Sequence, residues 1–146
     1  MRRHWIERNE ERHRQHARTT YQAFLADLIR IHPMTPEMAE RTALSVLWAL
    51  EQRLIPNEAQ HLEAQLPSHL RALLAEMPRV STRPIKFGHL DLIEWLANDL
   101  SCPVLEAERR ARAVFQTVRH KISVGEADDV AAELPEDLAL LWRHPA

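Results

Sequence analysis

AERTALSVLWALEQRLIPNEAQHLEAQLPSHLRAL, residues 39–73, and AERRARAVFQTVRHKISVGEADDVAAELPEDLALL, residues 107–141, are one pattern written twice. Shifted by 68 residues, the two stretches align without a gap, and 12 of the 35 pairs are identical. Composition alone gives roughly two to four such matches. The identities include Glu40-Arg41 on Glu108-Arg109, Glu58-Ala59 on Glu126-Ala127 and Leu66-Pro67 on Leu134-Pro135. A repeat that keeps polar residues and prolines as well as apolar ones marks a duplicated structural unit.

Within each copy the periodicity is helical. Ala39, Ala43, Val46, Leu47, Leu50 and Leu54 recur at helix spacing, as do Ala107, Ala111, Val114, Phe115, Val118 and Ile122. Upstream, Tyr21, Phe24, Leu25, Leu28 and Ile31 form a stripe that starts the first unit, and Leu92, Ile93, Leu96 and Leu100 start the second. His32-Pro33 ends the first helix, because proline pushes its predecessor out of the α region. Thr35-Pro36 then reads as an N-cap followed by proline in the first turn. Pro56-Asn57 and Pro67 divide the rest of the first unit. Ser123-Val124-Gly125-Glu126 reads as a capping box, the hydroxyl and the carboxylate serving opposite ends of one turn. No segment alternates with period two, and two glycines in 146 residues suit helices better than hairpins.

These signals predict an all-α fold: two tandem four-helix repeats packed as one pseudo-two-fold domain. The divisions are an arm over 1–20, helical or frayed, repeat 1 over 21–78, a linker over 79–88 and repeat 2 over 89–146. A unit of about 60 residues buries only about 60% of its extended surface, so two on one chain gain by packing together.

The stretch from Gly125-Glu126-Ala127 to Glu133-Leu134-Pro135 resembles the bacterial family known as domain of unknown function 2267. That family's pattern is an Ala-Glu-Arg-Ala helix, a Gly-Glu-Ala turn, Ala-Gln-Leu-Pro and a closing leucine helix, commonly in two copies. Here it stands as Ala39-Glu40-Arg41, Glu58-Ala59 and Ala64-Gln65-Leu66-Pro67. It returns as Ala107-Glu108-Arg109-Arg110-Ala111, Gly125-Glu126-Ala127 and Ala132-Glu133-Leu134-Pro135. The first copy departs from it with Pro56-Asn57 in place of Val124-Gly125. The resemblance implies a two-copy helical fold over roughly residues 20–143 and carries no activity.

Charge narrows the partners. The net charge is −2, but the first twenty residues hold six Arg and three Glu. Arg2, Arg3, Arg8, Arg12, Arg14 and Arg18 interleave with Glu7, Glu10 and Glu11, which suits pairing on a solvated helix better than a phosphate-binding tract. A single cysteine excludes an intrachain disulfide. No apolar run is long enough to span a bilayer, and no signal-peptide core follows the basic start. The expectation is a cytoplasmic protein with a protein partner or self-association, with neither nucleic acid nor membrane as its target.

Candidate chemistry is sparse. Glu40/Glu108 and Arg41/Arg109 lie near the start of the second helix of each unit, and read as structural ion pairs before they read as paired binding determinants. Glu58 and Glu126 have the same status, Glu126 as the capping-box acid. His13 and His16 share an i, i+3 face, and His61 and His69 become Asp129 and Asp137 in the second copy. All are metal-ligating types, yet they fit solvated faces, and no HExxH or Cys/His set occurs. Cys102 reads as a small buried residue rather than a nucleophile. Trp48 and Trp95 lie off the main stripes, at a core rim or an interface, whereas Trp142 reads as core. No catalytic residue, metal ligand or cofactor is assigned. The leading expectation is a non-enzymatic interaction or scaffold module. A ligand-binding or regulatory domain with a cavity between the repeats comes second, and an enzyme of unrecognised type third.

Overall fold

Proline and cap chemistry cut the chain into helices at the places the sequence marks. The computed structural model describes residues 2–146. Its helices are α1 (Arg2–Ile31), α2 (Pro36–Arg53), α3 (Pro56–Ala64), α4 (Ser68–Ala75), α5 (His89–Asp99), α6 (Val104–Arg119), α7 (Val124–Ala132) and α8 (Glu136–Arg143), with no strand among the described residues. Thr35 caps α2 by accepting from the Met38 N–H at 3.2 Å, with Pro36 in the first turn. Ser123 caps α7 by accepting from the Glu126 N–H at 3.1 Å. The bounds of α3 and α7, and of α4 and α8, each differ by the repeat shift.

Two expectations need correction. The sequence sets the arm apart from a first helix starting at Tyr21, but both belong to one helix of 30 residues. No proline or glycine interrupts Arg2 to Ile31, and local pairs such as Arg14 to Glu11 at 2.9 Å support the exposed turns. Ile31, placed in the apolar stripe, is exposed. It is the last residue of α1, where the chain turns away toward Pro33; Leu28 is the last fully buried residue of that helix, with Ile29 partly buried beside it.

The stripes form one continuous core. Phe24, Leu28, Leu47, Leu50, Leu62 and Leu70 from the first unit join Leu92, Ile93, Leu96, Phe115 and Trp142 from the second, all essentially sealed from solvent. Trp142 stands edge-on to Phe115, with ring centroids 5.4 Å apart, and its indole N–H donates to the Ala127 carbonyl at 2.9 Å. Such an aromatic pair contributes about 0.5–1.5 kcal/mol beyond its buried area.

The helix contacts follow a two-fold pattern. α2 packs on α6 and α3 on α7, while the α1–α6 contact has its counterpart in α5–α2. Hydrogen bonds repeat the pattern atom for atom. The Ser123 N–H donates to Gln65 Oε1 at 2.8 Å, and the Ile55 N–H donates to Glu133 Oε1 at 2.8 Å. Positions 55 and 123 are repeat equivalents, as are 65 and 133. Each third helix is thus capped by the side chain that closes the other.

The linker is tied down. Arg79 donates to the carbonyls of Glu51 at 2.8 Å and Leu54 at 2.7 Å, tying the linker to the C-terminal end of α2. The N–H groups of Val80 and Ile85 bond Gln52 at its side chain and its carbonyl. Residues 79–85 therefore run as a strap along α2.

Candidate functional site

The repeated polar residues divide into those that brace the fold and those that do not. Glu40 accepts from the Tyr21 hydroxyl at 2.7 Å, and Glu108 meets His89 Nε2 at the same distance. Tyr21 and His89 are repeat equivalents, so in both units this glutamate latches the second helix to the first. Arg41 crosses between units and donates to the Asp99 carbonyl at 2.7 Å, at the end of α5. Arg109 remains exposed. His13 and His16 lie exposed on α1, and the His69 ring packs against Tyr21 with centroids 4.7 Å apart and planes tilted by 57°. Asp137 accepts from the His89 N–H at 2.9 Å and helps start α5; this bond is the main reason its carboxyl is held below the usual carboxylate value. Cys102 is half-buried against the core.

Glu58 and Glu126 brace nothing in this way. The capping box at Ser123 is only half formed. Its hydroxyl accepts from the Glu126 N–H, but the Ser123 N–H bonds Gln65, leaving the Glu126 carboxylate free to turn elsewhere. That carboxylate lies against Glu58 from the facing helix and against Asp129. Three oxygens, one from each residue, lie within 4.8 Å of one another. Glu58 is 8% exposed and Glu126 6%. Glu58 Oε1 and Glu126 Oε2 are buried without a hydrogen-bond partner. Burial, and then the Glu126 carboxylate beside it, push the Glu58 carboxyl above its ordinary value. His61 Nδ1 approaches Glu58 Oε2 to 3.9 Å from the exposed rim. Sequence reasoning gave Glu126 to a cap and His61 and Asp129 to solvated faces. The missing information was the facing of α3 on α7, which places 58 opposite 126.

A second feature lies where the units differ. Trp48 of α2 and Trp95 of α5 stack at 5.3 Å, inclined by 29°. Between them and the strap runs an apolar groove of about 270 Å³, lined by Ala49, Val80, Ile85, Phe87 and Leu92 among others. Trp95 and Val80 are exposed. The Trp48 indole N–H is satisfied by the Pro78 carbonyl at 3.1 Å. The polar groups at the groove are in use as well: Gln52 bonds Trp48 and Val80, and Asp91 accepts from the Gly88 N–H at 3.1 Å. The repeat equivalents of Trp48 and Trp95 are Gln116 and Asp27, and Asp27 instead pairs with Lys121 at 2.6 Å. The groove therefore occurs on one side of the two-fold only, beside the strap.

A duplicated helical unit, an acid pair between its copies and an aromatic groove on one side define an all-helical tandem-repeat protein. A family model described as an uncharacterized conserved protein (DUF2267) matches residues 21–141, and the chain belongs to that family. No curated protein matches the chain. Among the described residues, no helix is long and apolar enough to cross a membrane.

Proposed function

We propose that the chain is a non-enzymatic protein-interaction module that receives an apolar or aromatic side chain of a partner polypeptide in the Trp48–Trp95 groove. The unduplicated aromatic groove carries this reading. Tryptophan is enriched among the residues that dominate binding energy, and a preformed stack orders few further rotamers on binding. Size supports a side chain over a free ligand: about 270 Å³ falls short of the roughly 300–1,000 Å³ of ordinary small-molecule pockets. The engaged polar groups support it too: Gln52 and the Trp48 indole are already bonded within the fold, and the rest of the lining apart from Asp91 is apolar. Arg83 and Lys86, exposed on the linker beside the groove, favour a partner segment whose anchor is flanked by acids. A cytoplasmic setting belongs to the same proposal, supported by the lone cysteine.

The test places a photo-crosslinking aromatic amino acid at position 95 in the native host. The expected result is one discrete polypeptide adduct, mapped to an apolar residue with acidic neighbours and lost when Val80→Asp is added. Absence of a discrete adduct, or one indifferent to Val80→Asp, overturns the reading.

A further inference from the structure

We propose that Glu58, Glu126 and Asp129 supply the oxygen ligands of a divalent-cation site on the pseudo-two-fold axis, with the His61 imidazole at its rim. The four residues are two pairs of repeat equivalents, Glu58 with Glu126 and His61 with Asp129. Each pair on one helix is spaced i, i+3, so both members project from the same face, and α3 and α7 turn those faces toward each other. Facing helices that each offer a glutamate and a second donor at i+3 are a recurrent way to surround a metal inside a helical protein.

Three observations point to a cation rather than to an acid cluster made by chance. First, Glu58 and Glu126 are about nine-tenths buried, and each carries a buried oxygen without a hydrogen-bond partner, Oε1 of Glu58 and Oε2 of Glu126. A buried carboxylate without a partner carries a large desolvation cost, which a bound cation offsets directly. Second, among the described residues neither glutamate pairs with a lysine or arginine, and His61 at 3.9 Å is the nearest basic group recorded for the cluster. Third, the spacing suits one ion. Three oxygens within 4.8 Å of one another are close enough to share a single cation bound at about 2.1–2.6 Å. Asp129, exposed at the edge, gives the ion a way in. Three carboxylates with one imidazole select a hard to borderline divalent ion, and Mn²⁺ is a suitable probe.

The test titrates Mn²⁺ into the full chain after chelator treatment, by calorimetry and by the electron paramagnetic resonance of the free ion. The wild type is expected to show one saturable site per chain. Asp129→Asn is expected to weaken it roughly ten- to a hundredfold. The double variant Glu58→Gln/Glu126→Gln, which keeps side-chain shape, is expected to lose saturable binding while its helical circular dichroism persists. Wild-type binding no tighter than that of the double variant overturns the site, and so does a site that survives all three substitutions. If the double variant does not fold, Asp129→Asn decides alone, because its side chain is exposed and outside the core: unchanged affinity there overturns the proposal. A wild type that binds no Mn²⁺ and differs from the glutamine variants only in its pH titration shows a carboxyl pair sharing a proton, which also overturns it.

Discussion

Removing Gln65 and Glu133, singly and together, tests the two-fold packing at its most symmetric contacts. Each alanine orphans a backbone N–H in the opposite unit: Ser123 for Gln65, Ile55 for Glu133, both now bonded at 2.8 Å. Both donors are exposed, so water recovers part of each loss and the cost falls toward the lower end of the roughly 0.5–2 kcal/mol known for helix caps. The Glu133 bond is charge-assisted and the Gln65 bond is neutral. The expected losses are therefore about 1 kcal/mol for Glu133→Ala and about 0.5 kcal/mol for Gln65→Ala. The two bonds sit at opposite ends of a nine-residue helix, about 13 Å apart at 1.5 Å per residue, so their costs add. The double variant then loses about 1.5 kcal/mol, a fall in Tm of about 3–6 °C at this chain length. Glu133→Gln keeps the acceptor and restores more than half of the single loss. Urea unfolding measures all four variants against Gln22→Ala, an exposed control on α1. A double variant within about 0.5 kcal/mol of that control refutes the reciprocal capping.

Glu51 supplies a pH test. Burial first, and the neighbouring Glu63 second, raise its carboxyl to about 9, well above the ordinary carboxylate range, against a smaller opposing pull from Arg79. The folded chain keeps a proton that the unfolded chain has lost. This contribution to stability is full below the unfolded value and is lost as pH rises through the raised folded one. Glu51→Gln is thus expected to be more stable than wild type at pH 8 and equal to it near pH 4.5, read from urea midpoints; equal gains at both pH values contradict the assignment. In the core, Trp142→Ala is expected to cost about 3–5 kcal/mol. Trp142→Phe costs less, because it keeps a ring against Phe115, although it too loses the bond to Ala127. Chemical denaturation ranks the two, and a smaller loss for alanine than for phenylalanine contradicts the packing described.

How much of this was legible in the sequence depends on whether the signal was local. Thr35-Pro36, Pro67 and Leu134-Pro135 act within a turn of where they stand, so they marked the helix boundaries directly. The stripes around Val46 and Val114 marked the buried faces, because helical period and burial report the same geometry. The arm over 1–20 was legible as helical or frayed from its polar composition, but its continuity with the helix at Tyr21 was not, because no apolar stripe runs through Arg2 to Thr20 to mark it. The acid pair was also out of reach. Glu58 and Glu126 lie 68 residues apart, and a locally satisfying role as a capping box competed for Glu126. Only Glu58, whose N-cap position three residues earlier holds Ile55 with no side-chain acceptor, hinted that this repeated glutamate had another use. The groove depended on a non-local meeting of Trp48, Trp95 and the linker, although both tryptophans stood out in the sequence as lying off the main stripes.

The α2–α6 and α3–α7 contacts have the form of an isologous interface, in which one surface meets its own copy. Residues 79–88 turn that association into an intramolecular one, with an effective concentration in the millimolar range for a short linker. Cohesion of the halves therefore does not depend on how much protein is present. A true homodimer must also change both faces with every substitution, whereas here each face varies alone. Tyr21 can stand opposite His89, and the Gln116–Asp27 side can stay polar while the Trp48–Trp95 side becomes a binding surface. The strap that joins the two halves is what releases them from identity.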